Sequence, residues 1–258
     1  EEMLANYVPN PDEERRAWLV DLDGRTVGRA VTILPSEESS RVAYLEVDLL
    51  REAWGQGLGT VALAELEADA LASGRTVLQI WAEHPEAPGQ RLTPPTGIGS
   101  IPHDHVAHFL QARGYTLEQV EFKSALDLTR GDAERDALLR AAQSAASGYR
   151  VVSWLGRTPA EFAAGYARLK AAMSTDAPSA DLEIDEETWD AARIARADDR
   201  HDAAGTTILV TCAQHEATGE LVAFTELAIG PDRGSATGQE DTLVARAHRG
   251  HRLGVLIT

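Results

Sequence analysis

Apolar positions along this chain alternate in short runs, then recur at helical spacing, and the two patterns take turns from end to end. Ala17–Leu22 and Thr26–Leu34 alternate like strands around Asp23-Gly24, a dipeptide suited to a tight turn with positive φ, and predict a hairpin. Val42–Leu49 predicts a third strand. Ala62, Leu63, Leu66 and Ala70 then share one face of a helix from about Thr60 to Ser73, stopped by Ser73-Gly74. Thr76–Ala82 predicts a short strand. Residues 83–104, with five prolines and three glycines, predict a long loop of the kind that carries function or motion. His105–Arg113 predicts a helix ended by Gly114, and Tyr115–Val120 and Phe122–Leu128 predict two more strands. Residues 1–16 give no clear element beyond a fragment of helix.

Further on, Asp132–Ser147 is an alanine-rich helix placed to join two domains, and Val151–Trp154 is a strand. Thr158-Pro159-Ala160-Glu161 predicts a helix start with Thr158 as N-cap and Pro159 at the first position. Phe162, Tyr166, Leu169 and Met173 give that helix an apolar stripe. Asp185–Ala197 predicts another helix. Thr207–Ala213 and Leu221–Ile229 are strands joined through Thr218-Gly219, and a loop over Gly230–Gly238 leads to a strand at Thr242–Arg246.

Between the third strand and its helix lies Arg51–Thr60, with glycines at every second position, Gly55, Gly57 and Gly59. A second such stretch, Arg249-Gly250-His251-Arg252-Leu253-Gly254, lies near Thr258. Glycines ahead of a helix let the backbone come close to an anion, which the unpaired N–H groups of the first turn favour. An offset of 195 residues pairs Trp54 with Arg249 and, without a gap, Gly24 with Gly219, Val27 with Val222, Arg51 with Arg246, Gly55 with Gly250, Leu58 with Leu253 and Gly59 with Gly254. Turn, strand, loop and glycine stretch repeat in one order, so the chain is read as two copies of one α/β unit with a mixed sheet. The expected layout is residues 1–130 for the first copy, 131–148 for the linking helix and 149–258 for the second. The first copy lacks an N-terminal part that the second has. The second stops four residues past Gly254, so a longer natural chain or a homo-oligomeric partner is expected to complete it.

Gly55-x-Gly57-x-Gly59 lacks the spacing of a dinucleotide fingerprint, and no Gly-Lys-Ser/Thr makes a Walker loop. Both stretches resemble the Arg/Gln-x-x-Gly-x-Gly/Ala motif of the GNAT N-acetyltransferase superfamily. The chain is similar to its tandem two-domain type, of which mycothiol synthase is an example. That resemblance implies acetyl-CoA as co-substrate and an amine attacking its thioester directly. It implies cofactor-facing positions at Val47, Leu49, Gly55, Gln56, Gly57, Leu58, Gly59 and Thr60 in the first copy. In the second they are Leu243, Val244, Arg249, Gly250, His251, Arg252, Leu253, Gly254 and Val255. Three residues depart from the family pattern. Trp54 stands where a cation is usual, Leu110 where a closing helix carries an acidic Tyr, and Arg252 where a glycine is usual. Catalysis is therefore expected in the second copy.

A net charge of −17 argues against nucleic-acid and anionic-membrane partners and is compatible with a cationic small-molecule amine. One cysteine, Cys212, excludes an intrachain disulfide. With no leader-like or membrane-length apolar run, the expected compartment is cytoplasmic. Glu226, amid an apolar strand, has two readings: a general base with a raised pKa, or a solvent-facing strand position, which alternation favours. Asp241 and its repeat-mate Glu46 are candidates for ordering the amine. His103, His105 and His108 are read as loop and helix surface, with no metal; His248 and His251 face either phosphate or solvent. No Gly-x-Ser-x-Gly elbow or Cys–His pairing supports covalent catalysis. The rival reading is a non-catalytic acyl-CoA-binding or regulatory protein.

Overall fold

The computed structural model describes residues 10–37, 39–127, 133–176, 180 and 182–258. They fall into two compact units, one gathering residues 9–124 with 178–185, the other 125–177 with 186–258. The alanine-rich helix expected as a linker thus lies in the second unit, and a short later segment returns to the first.

The first unit is a four-stranded sheet of order β1-β2-β3-β4, from β1 (Glu13–Leu22), β2 (Arg25–Pro35), β3 (Val42–Leu49) and β4 (Val77–Gln79). β1, β2 and β3 pair antiparallel and β4 runs parallel to β3. Asp23 and Gly24 both take positive φ, 51° and 79°, the turn that the Asp-Gly pair predicts. Helix α1 (Leu58–Ala72) buries Ala62, Leu63, Leu66 and Ala70 against Ala30, Ala43 and Leu45 of the sheet. A two-stranded ribbon, β5 (Arg91–Leu92) with β6 (Ile101–Pro102), folds the proline-rich loop onto itself ahead of α2 (His105–Gln111).

The two strands expected over Tyr115–Leu128 do not form among the described residues, 115–127. Phe122 and Leu126 are 72% and 74% exposed, so that side of the pattern buries nothing. Beside β4 lies instead the returning segment: Gln79 Nε2 donates to the Glu183 carbonyl at 2.7 Å, Arg41 pairs with Glu183 at 3.2 Å, and Ser40 donates to the Asp185 carboxylate. The helix expected from Asp185 accordingly starts later.

The second unit has an all-antiparallel sheet of order β10-β9-β8-β7, from β7 (Tyr149–Leu155), β8 (Thr207–His215), β9 (Leu221–Ile229) and β10 (Gly238–Val244). On one face lie α4 (Ala160–Asp176) and α5 (Ala191–Ala203), closing a core of Trp154, Tyr166, Leu169, Ile194, Val210, Cys212 and Phe224. α3 (Ala133–Ala145) and α6 (Leu253–Ile257) cover the other face over Ala213, Val222 and Ala223. Thr158 does not cap α4; its amide and hydroxyl both go to Asp198 of α5, at 2.9 and 3.4 Å. Asp190 caps α5 by accepting from Arg193 N at 2.7 Å.

Candidate functional site

After β3 the chain makes a single 3₁₀ turn (Arg51–Ala53) and enters the first glycine stretch; after β10 it does the same (Arg246–His248) and enters the second. The backbone hydrogen bonds of the turn repeat. Leu50 N donates to Val27 O at 2.8 Å, and Ala245 N to Val222 O at 2.9 Å. Gly55 and Gly250 take φ of 72° and 90°. Gly57 and Arg252, each capping the helix that follows, take φ of 83° and 54°. Arg252 therefore carries the left-handed conformation that glycine supplies in the first copy, at some steric cost. Among the described residues no hydrogen bond engages the backbone N–H groups of Gln56 to Gly59, or of His251 to Gly254.

The side chains at 54 and 249 also match in function. Trp54 Nε1 donates to the Leu49 carbonyl at 3.0 Å, and Arg249 Nε to the Val244 carbonyl at 3.1 Å. Leu49 itself lies across β2: a Cβ on Gly28 would come within 2.5 Å of its Cδ2, so only glycine fits there. Its other methyl faces Gly59, as does the ring of Phe109. Val47 packs with Phe109 and Leu110 on the core, where leucine offers no proton. Trp54 packs against His105 in a tilted ring pair with centroids 4.0 Å apart, and Arg113 donates to the Thr60 hydroxyl, placing a cation at the first turn of α1.

Around the second loop, Arg246 and Arg249 both reach Asp176, at 3.2 and 3.9 Å, and are partly neutralised by it. Arg252 has no ion-pair partner among the described residues. His248 Nδ1 lies 2.9 Å from the Tyr149 hydroxyl and the His251 ring is 5.3 Å from the Tyr149 ring, so these histidines brace the loop against β7. Leu243 is buried in the core; Val244 packs against Gly254 on the opposite face.

Glu226 and Asp241, the two acidic candidates, meet through a residue the sequence pattern did not single out. Lys170 Nζ of α4 lies 3.0 Å from Glu226 and 2.5 Å from Asp241. Glu226 is not solvent-facing: its side chain is 10% exposed and Lys170's 13%, whereas Asp241 keeps 38%. It shares the helix-covered face with Phe224, whose ring is 5.7 Å from the ammonium. Burial, with Asp241 and Glu240 adding negative charge, pushes the Glu226 carboxyl up to about 8. A backbone hydrogen bond from Asp241 works the other way, and burial outweighs it. Trp189 flanks Lys170 at 5.1 Å. Lys170 follows directly on Leu169 and lies four residues from Tyr166, a cation on the edge of an apolar stripe, which was the available signal. Glu46, the repeat-mate of Asp241, pairs instead with Arg29 at 3.6 Å.

Cys212 is fully buried and its thiol is pushed up to about 12 by burial, so it is not a nucleophile. His103 stacks on His108 at 3.7 Å while His105 turns to Trp54. Among the described residues no group of three or more His, Cys, Asp or Glu is placed to hold a metal, and no helix is long and apolar enough to cross a membrane.

Residues 2–93 match the acetyltransferase (GNAT) family. A tandem GNAT protein from the clavulanic acid biosynthesis pathway superposes with a TM-score of 0.65 at 23% identity, covering 99% of this chain and 71% of that one. A GCN5-related N-acetyltransferase from Sphaerobacter thermophilus matches with a TM-score of 0.48 at 14% identity, over 93% of this chain and 64% of that one. No curated protein matches the sequence. Residues 2–93 are thus similar to the GNAT family, and the chain as a whole shares the fold of the tandem GNAT protein.

Proposed function

We propose that the protein is an acyl-CoA-dependent N-acyltransferase that moves an acetyl group from acetyl-CoA to the amine of a small molecule. The observation that carries this reading is the twice-built loop. In each unit a strand-end carbonyl is held by the side chain at 54 or 249, and a run of unpaired N–H groups faces outward at a helix start, the chemistry a pyrophosphate requires. Acetyl-CoA supplies the thioester when bound.

Transfer is assigned to the second unit. Asp241, the exposed member of the acidic pair, attracts the cationic acceptor. Glu226, with its raised pKa, takes the amine proton as the nitrogen attacks the thioester carbonyl. A C–N bond forms, the C–S bond breaks and CoA leaves with the electron pair. Lys170 holds both carboxylates in register. The rival, a non-catalytic acyl-CoA-binding protein, is favoured by Asp176 drawing off Arg246 and Arg249.

Calorimetry with acetyl-CoA comes first, followed by thiol titration of CoA release across a panel of small amines. Heat of binding and amine-dependent release are expected. Binding without release from any amine leaves the binder; no binding removes both readings.

A further inference from the structure

β1 lies at the end of its sheet, and among the described residues no strand pairs with its outer edge. In the second unit the matching first strand of the hairpin, β8, has β9 on one side and β7 on the other. Among the described residues, then, the first unit repeats the hairpin without a counterpart of β7. A bare edge is ordinarily blunted by shortness, proline, a bulge or charge. β1 is ten residues long and contains no proline. Its pairing irregularity at Val20/Asp21 adds a residue, Val27, to β2, so β1 itself runs on unbroken. Its middle, Ala17-Trp18-Leu19-Val20, is apolar, with Trp18 42% and Leu19 73% exposed, and charge is confined to the flanks.

The two faces of β1 are engaged differently. Arg16 turns to α1, donating to Asp69 at 2.7 Å and to Ser73 at 2.9 Å, and Val20 packs on the core of the same side. Trp18 lies between them on that face, and the other face carries Arg15, Ala17, Leu19 and Asp21. Read backwards, those four complement themselves: a cation, two apolar residues, an anion. Identical antiparallel strands about a two-fold axis normal to the sheet keep each residue on its own face, so the axis must pass through a residue paired with itself. With Trp18 on the axis, Ala17 meets Leu19 and Arg15 meets Asp21, each pair occurring twice. Moving the axis to Ala17 sets Glu13 against Asp21, and moving it to Leu19 sets Asp21 against Ala17. Charge therefore selects one register. Arg15 bonds Glu13 of its own strand at 2.7 Å and Asp21 accepts from Thr26 at 2.8 Å, local contacts that leave both charged groups beside the edge.

We propose that β1 pairs antiparallel with β1 of a second copy of this chain, about a two-fold axis at Trp18, joining two first-unit sheets edge to edge. The proposal stands apart from the acyltransferase reading. The outer N–H and C=O groups of β1 exchange water for those of the second copy, Ala17 and Leu19 cover one another, and an Arg15–Asp21 pair closes each end. A two-fold contact of this kind is closed, so assembly stops at two. One strand from each side makes a small interface, and the dimer is expected to form in the micromolar range.

Sedimentation of the full chain at concentrations up to about 100 μM is expected to show a monomer–dimer equilibrium. Leu19→Lys, on the open face, weakens it by about 10-fold or more with the circular dichroism unchanged. Arg15→Asp sets like charges together and does the same. Joining it to Asp21→Arg restores the dimer, because both ion pairs are rebuilt with their signs exchanged. A separate readout uses Trp18→Cys. The one native thiol, Cys212, is buried, so mild oxidation should link two chains through position 18. Glu14→Cys, which lies opposite Leu22 in this register, should stay unlinked. A chain that is monomeric at every concentration overturns the proposal, as does a dimer that none of these substitutions weakens. A folded double variant that remains monomeric overturns the register and the proposal with it. Slow amide exchange along β1 in a monomeric chain would mean that another segment of the same chain lies on this edge, and that also overturns it.

Discussion

Trp54 and Arg249 are unlike side chains doing one job: each donates a ring or guanidinium N–H to the carbonyl five residues upstream, Leu49 at 3.0 Å and Val244 at 3.1 Å. The position requires a planar donor on a long side chain, and charge is a separate property laid over it. Trp54→Arg is therefore expected to keep the loop folded, because Nε can replace the indole N–H. It would also add a cation where phosphates gather, so acetyl-CoA should bind the first unit more tightly, by about 3- to 10-fold. Calorimetry at low and high salt checks this; unchanged affinity at both would show that the first loop takes no polyanion.

Arg252 sits at φ 54°, where Gly57 sits at 83° in the first copy. Arg252→Gly relieves a left-handed conformation worth about 1 kcal/mol, offset in part by the entropy of a freer unfolded chain, so stability should stay level or rise slightly. Acetyl-CoA affinity should nevertheless fall and lose some of its salt dependence. Thermal melts paired with binding isotherms separate the two effects, and tighter binding in the variant would mean that Arg252 obstructs the loop.

Lys170 compensates two carboxylates, one of them buried. Lys170→Met leaves Glu226 in an apolar setting with no counter-charge, a change expected to cost about 3 kcal/mol of stability above about pH 8, where Glu226 is ionised. The loss should be greatest in alkaline buffer, where Glu226 must ionise, and should be largely recovered by adding Glu226→Gln. Denaturant unfolding of the single and double variants decides it; additive losses would mean that the pair is not coupled.

The raised Glu226 carboxyl also sets a pH trend. Folded, it binds its proton up to about 8, against 4.5 as the ordinary value. Between those values the native state holds more protons than the unfolded one, so this group stabilises below about 4.5 and loses its contribution as pH rises through 8. Melts from pH 5 to pH 8.5 should fall more steeply in the wild type than in Glu226→Gln. Activity through Glu226 should run the opposite way, rising toward pH 8 as the base becomes free. Parallel melting curves for the two proteins would place the Glu226 proton elsewhere.

The hairpins, both glycine loops and the register between the copies were legible in the sequence because each is local: two or three residues determine a turn. Asp23-Gly24 and Thr218-Gly219 could be read with nothing else in view. The site was not local. Glu226 is buried because Lys170 arrives from a helix 56 residues earlier in the chain, and alternation along β9 cannot register a partner that far away. The helix expected from Asp185 was misplaced for a related reason: Glu183 and Asp185 are engaged by Gln79, Arg41 and Ser40, so helical order can begin only after them.

That returning segment has a consequence for how the protein is made. A ribosome delivers residues 9–124 early, but the stretch that lies beside β4 arrives only after all of α4 has been synthesised. Until then Gln79 and Arg41 lack the contacts they make with Glu183. The first unit is therefore completed only by chain that follows α4 in the sequence, so residues 9–124 alone do not hold all of its contacts.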